Sequence, residues 1–139
     1  MSHALKKYFI WLESVLVLVL VYALLLVFAG SVAGALFEWF GFGPDDSIQS
    51  SEVDAYLRLP YMVLGAVMAG WSLLMIQIVR GPLRDGSGWA WTFLVRSLGL
   101  WFVLDTGMSL ALGYPTHAIF NIPFAVALGI PLARLKPGT

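Results

Sequence analysis

Five polar side chains fall within otherwise apolar stretches of the chain: Glu13, Arg96, Asp105, His117 and Asn121. At membrane depth each costs free energy unless it is partnered, so each marks either a structural contact or a site. His117 and Asn121 are four residues apart and share one helix face. Asp105 and Ser109 do the same, with Thr106 beside them. The two segments are joined by the short turn Gly113-Tyr114-Pro115, which sets Asp105, Asn121 and His117 at one depth and predicts that they meet.

Three kinds of chemistry are open to that cluster. As interhelical glue, Asn121 donates to the Asp105 carboxylate and His117 orients it, each such bond contributing about 0.6–2 kcal/mol. As a binding site, the Asp105 carboxylate holds a proton or a small apolar or weakly acidic ligand and His117 exchanges its proton. As a pigment or metal site, His117 is a single axial ligand, with Gly113-x-x-x-His117 leaving room for a macrocycle. Bis-histidine haem is excluded, because the other histidine, His3, sits in the N-terminal tail. No cofactor and no multi-ligand metal site is expected. An intramembrane enzyme would use Asp105 and His117 as acid and base. No His-Glu-x-x-His, Gly-x-Ser-x-Gly or phosphate-cradling glycine loop supports catalysis, and none of the five is assigned a catalytic role.

Glu13 and Arg96 form a second candidate set. Each lies about two turns inside the same end of its segment, and an ion pair between them would neutralise both charges and fix how helices 1 and 3 meet. A charged pathway is the alternative use of the pair.

The elements that must carry these residues are read from hydropathy. Of 139 residues, 60% are hydrophobic and 12% charged, about half the charged share of a soluble domain. Mean hydropathy is +0.85. Eight basic residues balance eight acidic ones, which leaves no electrostatic footprint for nucleic acid. With no cysteine, disulfides, thiolate nucleophiles and Cys-ligated metal centres are ruled out. The expected fold class is all-α: one membrane domain, 1–139, with transmembrane helices at about 8–37, 59–79, 89–112 and 116–133 in a compact bundle. An acidic outer loop, 38–58, holds Glu38, Asp45, Asp46, Glu52 and Asp54. Within it Ser51-Glu52-Val53-Asp54 reads as a capping box, and Pro60 is expected to kink or divide the helix that follows.

Lys6-Lys7, an apolar core and Ala33-Gly34-Ala35 resemble a secretory signal. The uncharged run Ser14–Phe37 exceeds an h-region of about 7–15 residues, so a retained membrane helix is expected. Lys6, Lys7, Arg80, Arg84, Arg96, Arg134 and Lys136 fall on one side of the spans and Arg58 on the other, which predicts cytoplasmic termini. Tyr8, Trp11, Trp89 and Trp91 are expected in an inner aromatic belt, and Trp39, Phe40, Phe42, Tyr56, Tyr61 and Tyr114 in an outer one. Gly30-x-x-x-Gly34 and Ala66-x-x-x-Gly70 are candidate close-packing stripes for helices 1 and 2, or for a partner chain.

A broader pattern runs through the last three segments. Tyr61-x-x-Leu64-Gly65-Ala66-x-Met68-Ala69-Gly70-Trp71 is followed by Arg80-Gly81-Pro82-Leu83-Arg84 and Trp89-Ala90-Trp91. Then come Leu100-Trp101-Phe102-Val103-Leu104-Asp105-Thr106-Gly107-x-Ser109 and Asn121. Over about residues 60–133 this resembles small uncharacterised bacterial integral membrane proteins with four helices. The resemblance implies a multi-pass protein of the bacterial inner membrane and carries no activity. Small size, little extramembrane mass and small-residue stripes point to a non-catalytic accessory subunit among membrane lipids, partnered by other membrane subunits or by copies of itself.

Overall fold

The computed structural model describes residues 3–42 and 51–138, and these are helical nearly throughout. Helix α1 spans His3–Phe28, α2 Gly30–Phe42, α3 Ser51–Ile78, α4 Gly88–Ala111 and α5 Pro115–Arg134, with a π-turn at Val79–Leu83 after α3. Four of them, over Leu5–Phe28, Ala55–Leu83, Gly88–Ala111 and Pro115–Arg134, are long and apolar enough to cross a membrane. Asp45 and Asp46 of the expected acidic loop lie outside the described residues, as do the side chains of Glu38, Glu52 and Asp54 and with them the capping box.

Three boundaries differ from the hydropathy reading. The first segment is not one helix over 8–37. It breaks at Ala29, which is followed by Gly30, and α2 starts afresh with the amides of Val32 and Ala33 both bonded to the Ala29 carbonyl (3.0 and 3.1 Å). A uniformly apolar run cannot reveal such a break, because hydropathy has no term for glycine's low helix propensity. The first part of the expected loop 38–58 is helical, since α2 continues to Phe42, while α3 begins at Ser51, where the sequence placed a helical turn leading into the second span. Pro60 lies inside α3 without dividing it.

Pro82 has the larger consequence. It has no N–H to offer the Ile78 carbonyl and its ring crowds that turn, and the chain responds by widening into a π-turn. The amide of Ser87 then reaches back five residues to the Pro82 carbonyl (2.9 Å), and Gly86 supplies the positive φ of +79° that turns the chain into α4.

Helix α1 packs along α3 on one side and against α5 on the other, and α5 carries α4. Helix α4 also meets the π-turn but has no comparable contact along α3, so the bundle is open on the α4 side rather than closed into a compact ring. The main core gathers Leu12 and Leu16 of α1, Met75 of α3, Val79 and Leu83 of the π-turn, Leu94 of α4 and Leu128 of α5, with Leu135 just after it. Phe9, Leu83 and Leu135 share this cluster, so the termini and the π-turn lie at one end of the molecule. That end carries Lys6, Lys7, Arg80, Arg84, Arg134 and Lys136 and is called the basic end below.

The close α1–α3 approach rests on Gly65. A Cβ there would sit 2.6 Å from the Ala23 carbonyl oxygen and 2.8 Å from Leu26 Cβ. The Ala66/Gly70 stripe is one residue out of phase with this contact. Both are exposed, and a Cβ on Gly70 would meet only open space. Of the Gly30/Gly34 pair, Gly34 packs under the Tyr61 ring, 2.6 Å from where its Cβ would be, while Gly30 is open and serves the helix break instead.

Candidate functional site

The α4–α5 hairpin is closed by a glycine-terminated helix end. Gly113 takes φ +84°, its amide bonds the Leu110 carbonyl (3.2 Å), and the Tyr114 amide bonds the Ser109 carbonyl (2.8 Å). These are the paired back-bonds of a Schellman motif, and Pro115 then opens α5 where its missing N–H costs nothing. So tight a reversal places the last turns of α4 directly beside the first turns of α5.

Asp105, Asn121, His117 and Thr106 meet there. Asn121, buried at 3% exposure, donates through Nδ2 to Asp105 Oδ2 (2.9 Å) and to Thr106 Oγ1 (3.2 Å). His117 Nε2 lies 3.4 Å from the other carboxylate oxygen, Asp105 Oδ1, and donates to it in the tautomer that carries the proton on Nε2. Ser109 belongs to the group by position but not by contact with the carboxylate: its hydroxyl donates to the Asp105 backbone carbonyl one turn back (2.6 Å). The Asp105 side chain retains 35% exposure and His117 20%, so the carboxylate is partnered on the hairpin side and open on its flank.

This arrangement holds two helices together and fixes the Asn121 amide. Both carboxylate oxygens face donors on α5. As a pigment ligand His117 would keep the Asp105 contact only by ligating through Nδ1, since Nε2 is the nitrogen that faces the carboxylate. Among the described residues no three His, Asp or Glu side chains converge on a point that could hold a metal ion.

The expected Glu13–Arg96 pair is not formed. Glu13 instead accepts from Arg80 Nε (2.6 Å) and from Arg84 Nη2 (3.2 Å), and its Oε1 is paired with Arg80 Nη2 as well. The reason is rotational phase. Helix α1 packs on α3 and α5, so its Glu13 face meets the π-turn and not α4. Arg80 and Arg84 are four residues apart, a spacing that puts both on one face of a helical turn and lets them share the carboxylate. Arg96 stays exposed on α4, and among the described residues no carboxylate pairs with it.

Three further contacts were not foreseen. Trp91 Nε1 donates to the Leu132 carbonyl (2.8 Å), tying the start of α4 to the end of α5, and Lys136 Nζ lies 5.7 Å from its ring. Trp91 is therefore a half-buried link between helices. Its position opposite the last turn of α5, a mirror of the Asp105–Asn121 contact at the other end of the same hairpin, was the available signal. The Tyr22 hydroxyl donates to the Ala33 carbonyl (3.3 Å) across the α1–α2 break. The Ser72 hydroxyl, in contrast, is fully buried in α3 and has no hydrogen-bond partner among the described residues.

No family model, curated protein or solved structure matches this chain. Its functional reading rests on the geometry above.

Proposed function

We propose that the protein is a non-catalytic, multi-pass membrane subunit that presents α4 to a larger membrane assembly. Both termini would lie on the cytoplasmic side of a bacterial inner membrane. One observation carries this reading: α4 is the least covered of the long helices and also firmly held. Within its most apolar stretch 17% of residues are buried, against 33% for α3. Yet α4 is fixed to α5 at both ends, by Asp105–Asn121 at one and by Trp91–Leu132 at the other. A rigid helix whose half away from the basic end leaves Val103, Gly107 and Leu110 uncovered on one stripe suits docking to another helix. The basic residues collected at one end support the orientation.

The native mass of the protein, gently extracted from its own membrane, tests the proposal. A discrete larger assembly with other subunits is expected, and Gly107→Phe, whose new ring would stand in open space on α4, should release the protein from it without unfolding it. Recovery of the chain only as a monomer overturns the proposal.

The flank exposure of Asp105 favours a second reading, a binding or transport bundle for a small apolar or weakly acidic molecule. In that case the extracted protein carries a small extra mass and Asp105→Asn abolishes its binding. An unchanged mass in that variant removes the reading.

A further inference from the structure

Among the described residues Arg96, like Lys6, Arg58 and Arg134, is paired with no carboxylate, and it is the one of these that lies within the apolar length of α4. It lies on the outer face of α4, eight residues after Gly88, or about 12 Å along the axis from the end of the helix nearest the basic end. A shallow, open groove of ≈ 610 Å³ runs beside it, lined by Trp89, Thr92, Phe93, Arg96, Ser97 and Leu100. Every lining residue belongs to α4, so the groove opens outward and not into the bundle. Thr92 donates its hydroxyl proton to the Gly88 carbonyl (2.9 Å), while the indole N–H of exposed Trp89 has no acceptor among the described residues.

We infer that this groove seats the phosphate of an anionic phospholipid from the leaflet at the basic end. The inference rests on the proposal that the chain spans a membrane. A guanidinium at that depth reaches back along its own stem toward the interface, where its planar fork matches two phosphate oxygens. Trp89, two turns nearer the basic end, stands where indole rings favour the headgroup region and supplies a second donor. Phe93 and Leu100 flank Arg96 along the groove and offer apolar surface to the acyl chains. Charge complementarity selects the lipid. Glu13 is already shared by Arg80 and Arg84, so it offers nothing to Arg96, and an unneutralised guanidinium attracts a headgroup of net negative charge more than a zwitterionic one, whose own ammonium offsets its phosphate.

The test uses the full chain, purified in mild detergent and stripped of lipid, with dioleoyl phosphatidylglycerol or dioleoyl phosphatidylcholine added back. Retained lipid is counted by native mass spectrometry. Preferential retention of one phosphatidylglycerol is expected, falling about tenfold in Arg96→Gln, as for loss of a charge-assisted contact. Arg134→Gln, at the same end but outside the groove, should change it far less. Trp89→Phe keeps the ring, removes the donor and should weaken retention by a smaller factor, which keeps the proposal testable should Arg96→Gln fold poorly. Equal retention by wild type and Arg96→Gln overturns the inference, as does equal retention of both lipids. Retention unaffected by either groove variant, with a partner subunit's carboxylate crosslinked to Arg96 in native membranes, assigns the groove to that protein and overturns it too. Release of the chain from membranes by alkaline carbonate, in contrast, would break the membrane-spanning reading itself.

Discussion

At the basic end the helices are held by hydrocarbon, and at the opposite end by small residues and polar bonds. Leu12, Leu16, Met75, Val79 and Leu94 are buried almost completely around the π-turn. Away from it the buried positions are Ala23, Leu26, Ala33, Ala118, Ser109 and Asn121, with Gly34 and Gly65 at the closest approaches. The two constructions do different work. Apolar packing tolerates many partners of similar volume. A carboxylate that must find an amide has few acceptable registers, so Asp105–Asn121 specifies how α4 and α5 align while the leucines fill space.

The sharpest way to break this contrast is a cavity at the basic end. Leu16→Ala removes a side chain at 1% exposure, and the loss should be about 2 kcal/mol, the lower end of the range for such truncations, because in the proposed membrane setting lipid rather than water would compete for the freed surface. The midpoint of denaturation in mixed detergent micelles measures it. A loss no larger than that from truncating exposed Leu18 would mean that the leucine cluster is not the main core.

The opposite end should respond less in magnitude and more in specificity. A double-mutant cycle of Asp105→Ala with Asn121→Ala should give a coupling of about 0.6–2 kcal/mol, since the two groups lie 2.9 Å apart. The cycle of Asp105→Ala with Ser109→Ala should give almost none, because Ser109 bonds the backbone of residue 105, which survives the substitution. Comparable coupling in both cycles would show that the cluster acts through general packing and not through the carboxylate.

What could be read from the sequence follows the same division. The α4–α5 cluster was legible because its partners are 12 to 16 residues apart and joined by a minimal turn, so depth alone nearly fixes the contact. Glu13 and its arginines are 67 and 71 residues apart. Depth matching pointed there to Arg96, and the rotation of α1 about its own axis, which hydropathy does not encode, gave the carboxylate to Arg80 and Arg84 instead. The same gap explains the glycines. Ala66-x-x-x-Gly70 has the spacing of a packing stripe, but Gly65 is the residue on the side that meets Ala23. The helix break at Ala29 escaped for a different reason, since a run apolar on both sides of a turn leaves no periodicity to interrupt.

The smallest expected effect separates the two pairings proposed for Glu13. Its arginine partners are about half exposed, with Arg80 at 53% and Arg84 at 41%, so solvent screens much of the attraction and each contact should contribute no more than about 1 kcal/mol. Glu13→Gln combined with Arg80→Gln should therefore show a small coupling that fades with added salt, while Glu13→Gln combined with Arg96→Gln should be additive within error. Arg84 can take over part of the carboxylate once Arg80 is gone, which makes the single Arg80→Gln loss smaller than the loss from Glu13→Gln. That asymmetry follows from one acid shared between two bases and from no simple pair. If the Arg96 cycle carried the coupling and the Arg80 cycle none, α1 would be rotated toward α4, and the open side of the bundle would close.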